Sequence, residues 1–331
     1  METWSVVMGG VLVAFLVVYS LTGGADYGGG VWDLLARGKR AEAQRDLVKR
    51  AIGPIWEANH VWLIAIVVVL FANFPLAFST LSKALHLPLT ALLFGIVLRG
   101  SAFVFRTYDK GTARDKWSLV FSISSTITPV MLGVCLGALS VGRIRIDGQG
   151  RYLSNYTEAW WQPFPFMVGL FTLSLFAFLA AVYLAEFAAE EALQEDFRQR
   201  GLIAGVVVGV LAIASLGVAS FNAPSILEGL TQSAWAIPLH LLAAFSACGT
   251  LWCLWKRYFR PARFLCAAQV ALVILGWAFA QYPYLVWPSI TIAHGTAPET
   301  VLKQTFLVLL GGSVLLVPSF LYLFKLFGRD R

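Results

Sequence analysis

Residues 60–72 read His60-Val61-Trp62-Leu63-Ile64-Ala65-Ile66-Val67-Val68-Val69-Leu70-Phe71-Ala72, an apolar run without a carboxylate or an ammonium group. It lies within 54–79, one of nine windows of about 20 predominantly apolar residues, the length at which a helix crosses a bilayer. The others are 5–33, 85–106, 117–139, 164–187, 202–220, 235–255, 262–281 and 304–325. The sequence therefore predicts an all-α integral membrane protein with about nine transmembrane helices. The first two windows exceed one bilayer thickness and are expected to tilt or to emerge into water.

A chain of 331 residues is long enough for two soluble domains, but 58% hydrophobic and 13% charged residues leave too little polar surface for that. The net charge of +7 does not mark a nucleic-acid partner, because the basic residues sit in short connections between apolar runs. Their distribution sets an orientation. Nineteen of the 25 Lys and Arg residues fall in alternate connections and at the C-terminal end, around Arg37–Arg50, Arg106–Lys116, Arg198–Arg200, Lys256–Arg263 and Lys325–Arg331. The opposite side holds Lys83, Arg143, Arg145, Arg151 and Lys303, and Arg99 lies inside a span. Basic loops resist translocation, so the N-terminus is expected outside and the C-terminus in the cytoplasm. Met1-Glu2-Thr3-Trp4 has no basic n-region, and the first run reads as a retained helix rather than a signal peptide.

The connections are short apart from 140–163 outside and 34–53 and 188–201 inside, so the chain reads as a single membrane domain over 1–331. Glu186, Glu190, Glu191, Glu195 and Asp196 fit a solvated helix extension. Cys135, Cys248, Cys253 and Cys266 lie in apolar stretches without Cys-x-x-Cys spacing and read as small buried packing residues. Trp4, Trp32, Trp117, Trp160, Trp161, Trp235 and Trp287 fall near span ends, as interfacial aromatics do.

Charges at bilayer depth are costly and mark candidate sites. Asp26 stands in Thr22-Gly23-Gly24-Ala25-Asp26-Tyr27-Gly28-Gly29-Gly30, near the inner edge of the first span. The glycines there let backbones approach closely or let the helix loosen. Asp33, two turns on, is expected at the aqueous surface beside Trp32. The second span opens on Gly53-Pro54 and continues Trp56-Glu57-Ala58-Asn59-His60-Val61-Trp62, where Glu57 and His60 are three apart and share a face. Arg99, in Leu98-Arg99-Gly100-Ser101-Ala102-Phe103, lies roughly 21 Å along the third span. Two carboxylates, an imidazole and a guanidinium thus reach similar depth on the cytoplasmic side. Two readings stand side by side. One is an ion pair of Arg99 with Asp26 or Glu57 that fixes helix packing. The other is a proton-uptake path in which Glu57 and His60 exchange protons with water.

Other chemistry is poorly supported. No Walker loop, dinucleotide fingerprint, zincin helix or nucleophile elbow is present, and no metal site is expected. Of the four histidines, His60 lies in the inner half of its span, His86 and His240 near outer ends, and His294 in the last outer connection. His86 with His240 is geometrically permitted as a haem pair, although capping or interfacial roles suit them better.

Three segments together resemble subunit II of the cytochrome bd-type quinol oxidases: Gly24–Gly30, Pro54–Leu63 and Leu98–Phe103. The Trp-acid-x-Asn-His-Val-Trp run is the most specific of them, and the first hundred residues carry most of the resemblance. The resemblance implies two four-helix bundles, over 5–139 and 164–281, with a peripheral ninth helix over 304–325. It implies a haem-bearing subunit I as partner, which ligates haem b and haem d and carries the quinol-binding loop, so that no haem is ligated by this chain. The complex would oxidise ubiquinol or menaquinol and reduce dioxygen to water with cytoplasmic protons, in a bacterial cytoplasmic (inner) membrane. The family's acid after Trp on the second helix corresponds to Glu57, on a proton path; many members have Asp there, one methylene shorter. Asp26 and Arg99 correspond to the helix-one acid and helix-three arginine, with a proton-path or a structural role for Asp26. Trp56, Asn59 and Trp62 belong to the packing around them. A structural quinone lipid and a small single-helix accessory subunit are further components the resemblance admits, beside membrane lipids. The competing reading is a proton-coupled secondary transporter, for which the second half offers no mid-span charges to mirror Asp26, Glu57 and Arg99.

Overall fold

In the computed structural model, residues 2–52, 56–108 and 113–327 are described, excepting the side chains at 2, 52, 56–58, 320–321 and 323–327. Twelve helices account for most of these residues: α1 Glu2–Leu34, α2 Ala41–Ile52, α3 Trp56–Asn73, α4 Pro75–Ala84, α5 His86–Tyr108, α6 Arg114–Ala138, α7 Pro163–Phe187, α8 Glu191–Asn222, α9 Pro224–Gln232, α10 Ala236–Trp255, α11 Phe259–Gln281 and α12 Glu299–Phe327. Eight of them are long and apolar enough to cross a membrane, and α3 with α4 forms a bent pair that makes a ninth candidate span.

That bend departs from the expected continuous window over 54–79. The chain turns by 118° between α3 and α4. Phe74 takes φ −131° and ψ 59°, and Pro75 opens α4. A proline ring clashes with a helical conformation at the residue before it, and its missing N–H costs nothing in a first turn. The same device recurs at Ala223 (φ −146°, ψ 59°) and Pro224, where α8 gives way to α9. Proline thus ends a span whose apolar composition would let it continue.

At the centre, α7 is buried continuously from Leu175 to Val182, as a helix surrounded by other helices must be. It packs against α1, α6 and α8, while α1 also meets α3 and α6, α5 pairs with α6, and α10 pairs with α11. Glycine makes the α1–α7 contact possible: a Cβ on Gly28 would sit 1.9 Å from the Phe176 carbonyl oxygen. The glycine-rich segment of α1 is helical throughout, so its small residues serve close approach rather than unwinding.

Between α1 and α3 the chain forms α2, an amphipathic helix rather than a bare connection, with Leu47 and Val48 buried beneath it. Glu42 in its first turn and Lys49 and Arg50 in its last suit the helix dipole. Ion pairs strap the helix ends on this face: Arg114–Glu42 at 3.6 Å, Arg257–Glu195 at 3.1 Å and Arg263–Glu186 at 3.1 Å. Opposite, a two-stranded antiparallel ribbon, β1 Tyr284–Val286 with β2 Ile290–Thr291, closes over the helix ends, its Val286 and Ile290 packed with Met8, Phe74 and Leu302. Two further expectations are corrected by burial. Cys248 is exposed rather than a buried packing residue, and Trp32, placed at an interface by sequence, is buried and donates to the Ala177 carbonyl at 2.8 Å.

Candidate functional site

Asp26, Asn59 and Arg99 are each at most 4% exposed. Asn59 on α3 donates its side-chain amide to Asp26 Oδ2 on α1. Arg99 on α5 donates from Nε to Ser125 Oγ on α6 at 3.1 Å, and its guanidinium lies 4.8 Å from the Tyr27 ring centre and 5.4 Å from that of Phe121. Asp26 and Arg99 therefore share one interior without a direct ion pair, and each relies on a neutral polar neighbour. Arg99 Nη2 makes no hydrogen bond among the described residues. A second polar link runs beside them on α1, where the buried hydroxyls of Tyr19 and Tyr27 lie 3.0 Å apart.

Half-buried His60 faces this group, with its ring centre 6.4 Å from that of Tyr19, and Trp62 packs on Phe15 at 5.7 Å. Trp56 and Glu57 stand in the first turn of α3, but their side chains lie outside the described residues.

Asp33, expected at the aqueous surface, is 2% exposed and belongs to the interior. Arg106 Nη1 donates to its Oδ1 at 2.9 Å and Ser122 Oγ to its Oδ2 at 2.7 Å. Arg106, read from sequence as part of a connection, is 5% exposed and lies 4.5 Å from the centre of the Phe121 ring. The spacing explains the arrangement. Asp26 and Asp33 are seven apart on α1, as are Arg99 and Arg106 on α5, so each pair shares a face two turns long. Ser118, Ser122 and Ser125 supply the matching face of α6, and Gly30 lets Ser125 approach α1, since a Cβ there would meet that of Ser125 at 2.1 Å. Phe121 lies within cation–π distance of both guanidinium groups.

This column opens on the α2 face. A cavity of about 450 Å³ is lined by Asp33, Arg106 and Ser122 together with Glu42, Arg45, Asp46 and Lys49 of α2 and Arg114, Asp115 and Ser118 of α6. Its acidic and basic side chains balance, which suits water rather than a charged ligand. Arg106 Nε and Nη2 make no hydrogen bond to the described residues, and buried N–H groups of this kind are ordinarily satisfied by ordered water. The arrangement can bring water to Asp33 and Arg106, and Ser122 and Ser125 continue the polar face one turn further, to Arg99.

His240 Nδ1 lies 2.7 Å from the Ala236 carbonyl oxygen, a contact within its own helix. Among the described residues no three His, Cys, Asp or Glu side chains are grouped to hold a metal ion.

Fold and site together define a multi-pass integral membrane protein with an internal charged and polar column. The chain belongs to the cytochrome bd terminal oxidase subunit II family, whose model matches residues 4–327. It is similar to a Bacillus subtilis protein, named provisionally as a cytochrome bd menaquinol oxidase subunit II, with 25% identity over 97% of this chain and 94% of that protein. The cytochrome bd-I ubiquinol oxidase subunit 2 of Escherichia coli is 26% identical over 55% of this chain, an alignment that covers 47% of the E. coli protein. The fold matches a chain in the structure of bd oxidase from Geobacillus thermodenitrificans, with a TM-score of 0.79 and 22% identity over 99% of this chain and 100% of that one. As a subunit II, the chain implies a partner subunit I.

Proposed function

We propose that this chain, with a haem-bearing subunit I, forms a quinol oxidase of a bacterial cytoplasmic membrane, and that it carries a proton-uptake path from the cytoplasm. The α2 face, rich in Lys and Arg, is the cytoplasmic one in this reading. The helices group as two bundles, 5–139 and 164–281, with the ninth span peripheral. Haem b and haem d belong to subunit I, and quinol, ubiquinol or menaquinol, is oxidised there while dioxygen is reduced to water. The present chain holds the helices against which subunit I assembles.

One observation carries the proton reading: Asp26 accepts a hydrogen bond from Asn59, two residues along α3 from Glu57, within a buried interior. Among the described residues Asp26 has no salt-bridge partner, and a buried carboxylate so placed is costly to keep for packing alone. Glu57 is assigned as the carrier nearest water, with His60 beside it and Asp26 deeper, while Arg99 sets the local field. Trp56, Asn59 and Trp62 hold the α1–α3 geometry.

Glu57→Gln tests the assignment, because it keeps size and hydrogen bonding but cannot carry a proton. Quinol-driven oxygen consumption of the purified complex is expected to fall by about tenfold or more, a loss of the order that removing a positioned proton-transfer group produces. The haem absorption spectrum should stay unchanged. Unchanged turnover would remove Glu57 from the path, whereas failure to recover a haem-containing complex would assign it to assembly.

A further inference from the structure

The loop between α1 and α2 and the first turns of α8 enclose a second cavity, of about 460 Å³, that the proton path does not use. Arg37, Lys39, Arg40, Gln44, Asp196, Arg200 and Ile203 are among its lining residues. Four cations therefore face one carboxylate. Arg40 occupies that carboxylate, with Nε donating to Asp196 Oδ2 at 2.9 Å and Nη2 to Oδ1 at 2.5 Å. Among the described residues, Arg37, Lys39 and Arg200 have no acidic partner within ion-pair distance, so the cavity carries an uncompensated positive charge.

Arg200 is held in place on three sides. Its guanidinium lies 5.5 Å from the Trp32 ring centre and 5.0 Å from that of Phe197, and its Nη2 donates to Gln44 Oε1 at 2.6 Å. Its Nη1 is buried and makes no hydrogen bond among the described residues. A guanidinium presents paired donors suited to phosphate oxygens, and a buried N–H calls for an acceptor. Beginning at the cavity, Ile203, Val206, Val210 and Ile213 are 60–74% exposed and follow one another at three- and four-residue intervals. They form one apolar stripe along α8 that leads from the cavity into the span.

We propose that this cavity binds the phosphate of an anionic phospholipid, whose acyl chain lies along the Ile203–Ile213 stripe. Basic pockets between membrane helices on the cytoplasmic side suit such headgroups. Free phosphate would satisfy the cations but leave the stripe unused. An acidic segment of a partner protein is the competing occupant.

Native mass spectrometry of the intact oxidase complex in mild detergent tests this. The wild-type complex is expected to retain an anionic phospholipid, and after delipidation to take up phosphatidylglycerol in preference to phosphatidylcholine. Arg37→Gln with Lys39→Gln, both at exposed positions, should weaken retention by about thirtyfold, as loss of two juxtamembrane cations predicts. Arg200→Gln should abolish it, and Arg200→Lys should restore it in part. Displacement of the lipid by millimolar inorganic phosphate would reduce the site to a simple anion site and overturn the proposal. So would retention unaffected by Arg37→Gln/Lys39→Gln, or hydrogen-exchange protection of residues 35–44 by subunit I with no lipid bound.

Discussion

Complexes carrying Asp33→Asn or Arg106→Met alone are expected to assemble poorly and to melt well below the wild type, while the double variant Asp33→Asn/Arg106→Met should recover much of the loss. The pair is buried, with side chains 1% and 5% exposed and 2.9 Å between Arg106 Nη1 and Asp33 Oδ1. Removing one member leaves the other charged in an interior that solvates it poorly, at a cost of about 3–5 kcal/mol. The cavity touching both residues moderates that figure toward its lower end, since water can reach the orphaned group. Ser122 can still donate to an isolated Asp33, and Phe121 can still face an isolated Arg106, but neither neighbour neutralises the charge. Removing both charges avoids the orphan, which is why the double variant should be the milder one. Yield of intact haem-containing complex and thermal denaturation followed by tryptophan fluorescence measure the cycle. Single variants that melt with the wild type would show that the pair is solvated, not buried.

The same pair marks where sequence reading reached its limit. Nine apolar windows could be read from composition because the bilayer demands long uncharged helices. The break after α3 was masked because 54–79 remains apolar on both sides of Phe74. The evident clue was Pro75, which restricts the residue before it. Asp26, Glu57, His60 and Arg99 stand out as ionisable groups at bilayer depth, but depth does not give the rotation of one helix about another. Hence the actual neighbours, Asn59 for Asp26 and Ser125 for Arg99, could not be read off. Asp33 and Arg106 lie near span ends, where a charge can reach water, so depth alone does not single them out. Their signal was the repeated seven-residue spacing, Asp26 to Asp33 and Arg99 to Arg106, which continues each polar face by two turns. The cavity above them required α2, whose polar composition, unlike that of the spans, did not distinguish a helix from a connection.

Gly28→Ala is expected to harm the protein more than the same change at Gly9, Gly10, Gly23, Gly24 or Gly30 of α1. The new Cβ would lie 1.9 Å from the Phe176 carbonyl oxygen and 2.7 Å from the Ala180 Cβ. The first obstacle is backbone, so no rotamer change relieves it, and α1 and α7 must part by about 1 Å or more. Parting them disturbs the Tyr27–Phe176 stack and the Trp32 bond to Ala177, and moves the ring beneath Arg99. Overpacking of this kind costs about 1–3 kcal/mol in cores that can adjust, and more where backbone is the obstacle. Ala180→Gly should fail to rescue Gly28→Ala, because the carbonyl remains. Gly30→Ala is the informative contrast: its obstacle is the Ser125 side chain, at 2.1 Å from Cβ and 2.4 Å from Oγ, so Ser125→Gly should restore packing there. That rescue also removes the hydroxyl that accepts from Arg99 Nε, so assembly should return more fully than turnover. Gly10→Ala on the same helix meets nothing within 4 Å and should be neutral or slightly stabilising through helix propensity. Recovery of intact complex and its melting temperature decide the matter: a Gly28→Ala complex as stable as Gly10→Ala would mean that α1 and α7 are not in close contact.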